Sequence, residues 1–199
     1  MGAAVKKNFR DGKYRGISDV HVLAGRLTED LQAVHRDEHL HVEYNPEIAY
    51  ELSGDVEDVP AMVARKHERE RQQNFGFKKA EVLSGNVAYL ELSKFSRLNR
   101  YSGSTADAAL SMLSNAGALI IDLRYGVGGS PEMMTHILSH FYKDTLHISD
   151  IYLRSENTTL SFFTTPDPKY GRLTEIPLYV LTSYKTFSAA RSEERRVGK

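Results

Sequence analysis

The segment at residues 181–190 constrains this chain more than any other part of its sequence. It reads LTSYKTFSAA, and the apolar run that leads into it, residues 176–181, is typical of a buried strand. A serine at a strand-to-helix junction can present its hydroxyl at a sheet edge, and the next amide can point to where an oxyanion would form. Ser188 is therefore a candidate nucleophile and the Ala189 amide a candidate oxyanion donor. The alternative is a serine that only caps a helix.

A second segment, residues 118–131, reads ALIIDLRYGVGGSP and predicts a strand that enters a glycine-rich turn. Gly128 and Gly129 are candidates for the other oxyanion donor, because glycine allows close backbone approach and positive φ. A phosphate loop is the rival interpretation, since a strand, glycines and a helix also suit phosphate. That rival is weak, because Pro131 stands where the dinucleotide pattern needs a third glycine, and no Gly-Lys-Ser/Thr triplet exists.

A third segment, Asp37-Glu38-His39-Leu40, precedes a β-like run. The three segments together resemble the marks of peptidase family S41, which are IDLR-x-x-x-GG, then T-S-x-x-T-x-S-A-A, and D-x-H-L in one branch. That family comprises tail-specific and C-terminal processing peptidases, the tricorn core and the interphotoreceptor retinoid-binding proteins. The resemblance covers roughly residues 17–190.

The resemblance implies an α/β fold, with a ClpP/crotonase-like core behind a small helical N-terminal subdomain. It implies a serine-type endopeptidase that acts on a peptide or protein substrate and needs no cofactor. Ser188 would be the nucleophile, His39 the general base, and Gly128 or Gly129 with Ala189 the oxyanion hole. It also implies export of the full-length parent, although no signal peptide is visible at the N-terminus of this chain.

Several features depart from the family pattern or lie beyond the chain. Relatives often have Gly-Asn-Gly-Gly-Gly where this chain has Tyr-Gly-Val-Gly-Gly at residues 125–129. The processing peptidases take their base from a lysine downstream of the serine, and the tricorn branch takes its orienting acid from further downstream. The chain ends eleven residues after Ser188. Lys185 matches no base position of the family.

The histidines of this chain also allow interpretations other than a catalytic base. His39 could be a surface histidine in a cluster with His35 and His41. A metal site is a further reading, because His39 and His41 would share a strand face and His136 and His140 are spaced i,i+4. No glutamate follows His136 as H-E-x-x-H requires, and no third ligand is evident from the sequence. We therefore predict no metal site.

The composition of the chain limits its expected domain organisation and the classes of binding partner. With 199 residues, 41% of them hydrophobic, the chain suits one compact domain and a smaller appendage. The net charge of zero gives no support for a nucleic-acid partner or an anionic membrane surface. The absence of cysteine excludes disulfides and a cysteine nucleophile, and no apolar run is long enough to span a membrane. The oligomeric state cannot be inferred.

Periodicity and turn signals predict the elements. We expect a first helix over residues 19–35 capped by Ser18, a strand at 39–44, and a second helix from 60 to about 73. A hairpin at 77–83 and 86–92, a helix capped by Ser104, and a strand at 118–123 buried on both faces should follow. We then expect a helix capped by Ser130 and strands at 148–153, 160–164 and 178–181. The predicted domains are residues 1–74, a helical subdomain, and 75–190, the α/β core.

The last nine residues, 191–199, carry six charges and lack the apolar face that a helix behind a nucleophilic serine should show. We interpret them as a foreign tail on a truncated domain, and expect the 199-residue chain to be inactive as a peptidase. Two rivals remain open at this point. One is a non-catalytic module that binds apolar ligands on the same fold, and the other is a gene-model fragment without function.

Overall fold

A computed structural model describes residues 2–37, 39–45, 59–167 and 173–190, and the chain divides into two compact units, Met1–Met62 and Val63–Lys199. The predicted domain boundary between residues 74 and 75 stays a prediction. The predicted foreign tail lies outside the described residues. No helix in the described ranges is long and apolar enough to cross a membrane.

The first unit contains helix α1, Gly2–Arg10, and helix α2, Val20–Val34. The predicted cap of α2 was one residue early, because the Asp19 carboxylate, not Ser18, accepts hydrogen bonds from the first amides of the helix. The predicted strand at 39–44 was wrong. Residues 39–45 form a turn followed by irregular chain.

A buried carboxylate on α2 holds the first unit together. Asp30 accepts hydrogen bonds from Asn8 at 2.8 Å, Lys13 at 2.5 Å and Tyr14 at 2.8 Å. The hydrogen bonds from Lys13 and Tyr14 outweigh burial and lower the pKa of Asp30 to about 2. The ionised carboxylate therefore links α1 and the turn after it to α2.

The second unit is built on a four-stranded sheet with the order β1-β2-β3-β6. Helix α3, Val59–Gln72, crosses the division between the units, and a short 3₁₀ helix, Asn74–Gly76, follows it. Strands β1, Phe77–Leu83, and β2, Val87–Leu92, form the predicted antiparallel hairpin. The later elements are α4, Arg100–Leu113; β3, Ala118–Asp122; α5, Pro131–Leu138; β4, His147–Leu153; β5, Thr158–Phe163; and β6, Leu178–Leu181.

Strands β2, β3 and β6 run parallel to one another, so their carboxyl ends meet at one edge of the sheet. Strands β4 and β5 do not join them and form a separate antiparallel pair. Of the helix caps, Ser130 was predicted correctly, with Pro131 in the first turn of α5. Ser104 was not, because Asn99 caps α4 and begins the helix one turn earlier.

The core of the second unit lies between one face of the sheet and helices α4 and α5. Leu90 of β2 and Leu119 and Ile121 of β3 are fully buried, together with Leu110 of α4 and Ile137 of α5. The opposite face of β3 is only half-buried at Ala118 and Ile120. The prediction that β3 is buried on both faces is therefore confirmed for the first face, whereas on the second face only Asp122 at the end of the strand is fully buried.

Candidate active site

Ser188 lies at a strained junction after the last strand. Residues 182–187 connect it to β6, and Ala189 and Ala190 after it have helical conformation. Its φ is +54°, a left-handed value that serine rarely adopts. Such strained residues cluster at functional sites, where the surrounding structure holds them in place. The position is the one that the sequence predicts for a serine at a strand-to-helix junction.

Gly128 packs directly against this serine. It is buried in the loop after β3 and has φ of +84°. A Cβ atom at position 128 would lie 2.6 Å from the Cβ of Ser188 and 3.0 Å from the amide nitrogen of Ala189. Only glycine fits here, because any side chain would displace the serine. The parallel pairing of β3 and β6 explains the approach, since both loops leave the same edge of the sheet.

A glycine is also required at position 129, because the backbone of Phe95 lies against it. A Cβ atom at position 129 would lie 2.1 Å from the carbonyl oxygen of Phe95, in the segment after β2. Phe95 donates its amide to the Gly128 carbonyl at 2.8 Å and accepts from the Ser130 amide at 2.8 Å. This pairing uses neither glycine amide. Within the described residues, the amides of Gly128, Gly129 and Ala189 donate to no acceptor.

Two hydroxyl groups hold the two loops together. The buried Thr186 hydroxyl donates to the carbonyl of Leu123 and accepts from the amide of Ser183, both at 2.8 Å. The Ser183 hydroxyl donates to the carbonyl of Arg124. Ser183 and Thr186 therefore shape the loop before Ser188.

A buried carboxylate at the end of β3 anchors the glycine loop. Asp122 is 1% exposed and accepts hydrogen bonds from the Tyr89 hydroxyl at 2.6 Å and the Arg124 guanidinium at 2.7 Å. Burial would raise the pKa of Asp122, but the hydrogen bonds from Arg124 and Tyr89 outweigh it and lower the pKa to about 2. Asp122 was not predicted to have a role. A charged residue at the end of an apolar strand was nevertheless a sequence signal for a carboxylate that anchors the following loop.

His39 belongs to the first unit. Its Nδ1 lies 2.8 Å from Oδ1 of Asp37, and the ring is more than half exposed. Hydrogen bonds from the His39 amide and side chain lower the pKa of Asp37. In the described part of the second unit, the Ser188 hydroxyl bonds to no histidine, lysine or carboxylate. The structure thus groups Ser188, Gly128 and Ala189, whereas His39 is described only within its own unit.

A cluster of candidate metal ligands in the second unit contains a residue that was not identified from the sequence. His136 and His140 were noted for their spacing, but a third candidate ligand was missed. The carboxylate of Asp107, on α4, lies 2.8 Å from Nε2 of His136 and 3.1 Å from Nε2 of His140. It stands 29 residues before His136, so no local motif could reveal it.

Sequence profiles of known protein families match this chain. The sequence profile described as Peptidase family S41 matches residues 86–192, which include both loops of the site. The chain belongs to peptidase family S41. A second profile, the N-terminal domain of peptidase S41 in eukaryotic IRBP, matches residues 1–78. Membership confirms the predicted α/β class with a ClpP/crotonase-like core.

Solved structures are similar at low identity. A protein from Parabacteroides merdae is 20% identical, with a TM-score of 0.45, and the match covers 63% of this chain and 44% of that one. The photosystem II D1 C-terminal processing protease is 19% identical, with a TM-score of 0.42, and the covered shares are 60% and 30%. A lipoprotein from Streptococcus agalactiae is 20% identical, with a TM-score of 0.43 and shares of 64% and 48%. The S41 chain therefore spans less than half of the length of these proteins.

Proposed function

We propose that this S41 chain carries the nucleophile and the oxyanion hole of a serine peptidase. The observation that carries the proposal is the left-handed backbone of Ser188 packed against Gly128, at the edge where β3 and β6 end. This geometry brings the backbone of Gly128 against Ser188 and the Ala189 amide at a strand-to-helix junction, as a nucleophilic serine with an oxyanion hole requires. A helix cap needs no such strain, because cap residues ordinarily adopt extended backbone conformations.

The proposed reaction is acyl transfer to the serine. The Ser188 hydroxyl oxygen attacks the carbonyl carbon of a peptide bond, its proton passes to a base, and the carbonyl oxygen becomes an oxyanion. The carbonyl then re-forms as the C–N bond breaks, and the amine leaves with the proton from the base. Water hydrolyses the acyl-serine in the same way and restores the Ser188 hydroxyl. The amides of Ala189 and of Gly128 or Gly129 are the donors for that oxyanion. Such donors stabilise charge that develops only in the transition state, so they lower the barrier to reaction.

The base is proposed to be His39, on the strength of its sequence motif. The contact with Asp37 suits the role, because a carboxylate at Nδ1 favours the tautomer with hydrogen on Nδ1. A histidine in that tautomer accepts a proton at Nε2, which is the role proposed for His39. Substitution of His39 by glutamine should therefore slow fluorophosphonate labelling of Ser188 and leave the fold of the second unit unchanged.

One observation favours a second candidate function. Residues 1–78 match the N-terminal domain of peptidase S41 in eukaryotic IRBP, and the resemblance to retinoid-binding proteins suggests a module that binds apolar ligands without catalysis. In that case Ser188 would be an ordinary hydroxyl. The two candidates differ in the reactivity of this one side chain.

Labelling with a fluorophosphonate tests the choice. The reagent forms one bond to an activated serine, and its phosphoryl oxygen uses the same donors as an oxyanion. Because an oxyanion hole and binding alone retain roughly 10³–10⁴-fold catalysis when a triad member is missing, slow labelling should be measurable even without turnover. We expect the adduct at Ser188, located by peptide mass spectrometry. The Ser114→Ala variant, at the end of α4, is the matched control and should label like the parent chain.

The result that would reject catalysis is equally specific. Adducts spread over several serines, or labelling that persists in the Ser188→Ala variant, would mean that Ser188 is not activated. Saturable binding of a fluorescent fatty acid or retinoid by the same unlabelled chain would then favour the binding module.

A further inference from the structure

Two helices of the second unit bring three metal-binding side chains to one point, away from the proposed nucleophile in the sequence. Asp107 comes from the middle of α4, His136 from the last turn of α5, and His140 from the turn that follows α5. Their ligand atoms all lie within 4.8 Å of one another. His140 is 2% exposed, so one ligand is fixed inside the protein.

The two imidazole rings aim at the same atom. Their centroids are 5.6 Å apart and the planes are nearly perpendicular, and both Nε2 atoms contact Oδ1 of Asp107. Two neutral histidines that each carry hydrogen on Nε2 would give this arrangement through two hydrogen bonds. The same convergence of two imidazole nitrogens and a carboxylate oxygen is also a ligand set for zinc.

The distances suit an ion with little rearrangement. In a tetrahedral zinc site with bonds of about 2.1 Å, neighbouring ligand atoms stand roughly 3.4 Å apart. The present separations of 2.8 and 3.1 Å from Asp107 to the two histidines are shorter than that value by about 0.6 and 0.3 Å. Rotation of the half-buried Asp107 side chain supplies such a change.

An open cavity borders the cluster on the side of His136. It has a volume of about 590 Å³, and His136 is among the residues that line it. Two carboxylates, Glu132 and Asp167, line it as well and would favour a cation over an anion. A water molecule in this cavity could complete a fourth coordination position.

We propose that Asp107, His136 and His140 bind one Zn²⁺ ion that joins α4 to α5. The ion would cross-link the two helices, and the proposal assigns it no part in peptide hydrolysis. Helix α5 begins immediately after Gly129 and its cap Ser130, so an ion that fixes α5 would also steady the glycine loop. The proposal is independent of the function assigned to Ser188.

The test uses the 199-residue chain with its affinity tag removed, treated with a chelator and then dialysed. Zn²⁺ is added, and binding is measured by isothermal titration calorimetry, by elemental analysis after gel filtration and by thermal unfolding. We expect one equivalent of zinc per chain and a higher unfolding midpoint with zinc. Changes in residues around metal ligands typically cost 10–100-fold in affinity, so loss of a ligand in Asp107→Asn or His136→Gln should weaken binding at least about a hundredfold.

The matched controls are Asp150→Asn and His147→Gln, which alter an exposed histidine–aspartate contact in the same unit. They should bind zinc like the parent chain. Circular dichroism in the presence of chelator establishes that each variant is folded. Substoichiometric binding by the parent chain, or equal affinity in the cluster and control variants, would overturn the proposal and leave the two hydrogen bonds as the whole role of the cluster.

Discussion

Replacement of Gly128 by alanine is the sharpest test of the proposed active site, because the chain contains a matched control. Gly85, in the turn between β1 and β2, has φ of +81°, close to the +84° of Gly128, and a Cβ atom there would meet nothing within 4 Å. Both substitutions force alanine into a left-handed conformation, at a cost of about 1–2 kcal/mol. Only Gly128→Ala adds a collision.

The size of that collision sets the expected effect. The new Cβ would lie 2.6 Å from the Cβ of Ser188, whereas carbon atoms in favourable contact are about 3.5–4.0 Å apart. The serine must therefore move by roughly 1 Å, and a misplacement of that size can cost about 10²-fold in rate. Overpacking should add a further 1–3 kcal/mol or so of destabilisation.

Two assays separate the effects. The rate of fluorophosphonate labelling at Ser188 should fall about a hundredfold in Gly128→Ala and stay unchanged in Gly85→Ala. Urea unfolding should show a larger loss of stability for the first variant than for the second. The reasoning would be refuted if Gly128→Ala labelled at the rate of Gly85→Ala while both remained folded.

Three further predictions concern the same unit. The pKa of Asp122 is lowered to about 2 in the folded protein, so its contribution of about 2 kcal/mol is present above its ordinary pKa of 3.8 and is lost as the pH falls toward 2. Because the pKa of Asp30 is lowered as well, urea unfolding from pH 6 to pH 2 should show a loss of stability in both the parent chain and Asp122→Asn, smaller by about 2 kcal/mol in the variant, and equal losses would contradict the assignment. Thr186→Val removes two hydrogen bonds of a buried hydroxyl and should cost about 1–3 kcal/mol in chemical unfolding and slow labelling of Ser188, with full stability as the contrary result. Ser188→Ala should abolish labelling while the unfolding free energy changes by about 1 kcal/mol or less, and labelling at the rate of the parent chain would contradict its role as nucleophile.

Local chemistry made much of this protein predictable from its sequence. The hairpin of β1 and β2, the cap and proline that begin α5, and the apolar strands β3 and β6 all follow from signals within a few neighbouring residues. The caps of α2 and α4 were misplaced because several side chains near a helix start can accept the same amides. The strand predicted at residues 39–44 failed because alternation alone supplies no partner strand.

The motif sequences identified Ser188 as a candidate nucleophile and Gly128 and Gly129 as candidate oxyanion donors. Only the tertiary structure decided that Gly128 packs against the serine while Gly129 makes room for Phe95. Likewise, the spacing of His136 and His140 was visible in the sequence, but Asp107 reaches them only because α4 and α5 pack together. Sequence patterns reflect the local conformations and hydrogen bonds that residues close together in the chain can form. Contacts between distant segments depend on the register of β3 and β6 and on helix packing, which no local pattern specifies.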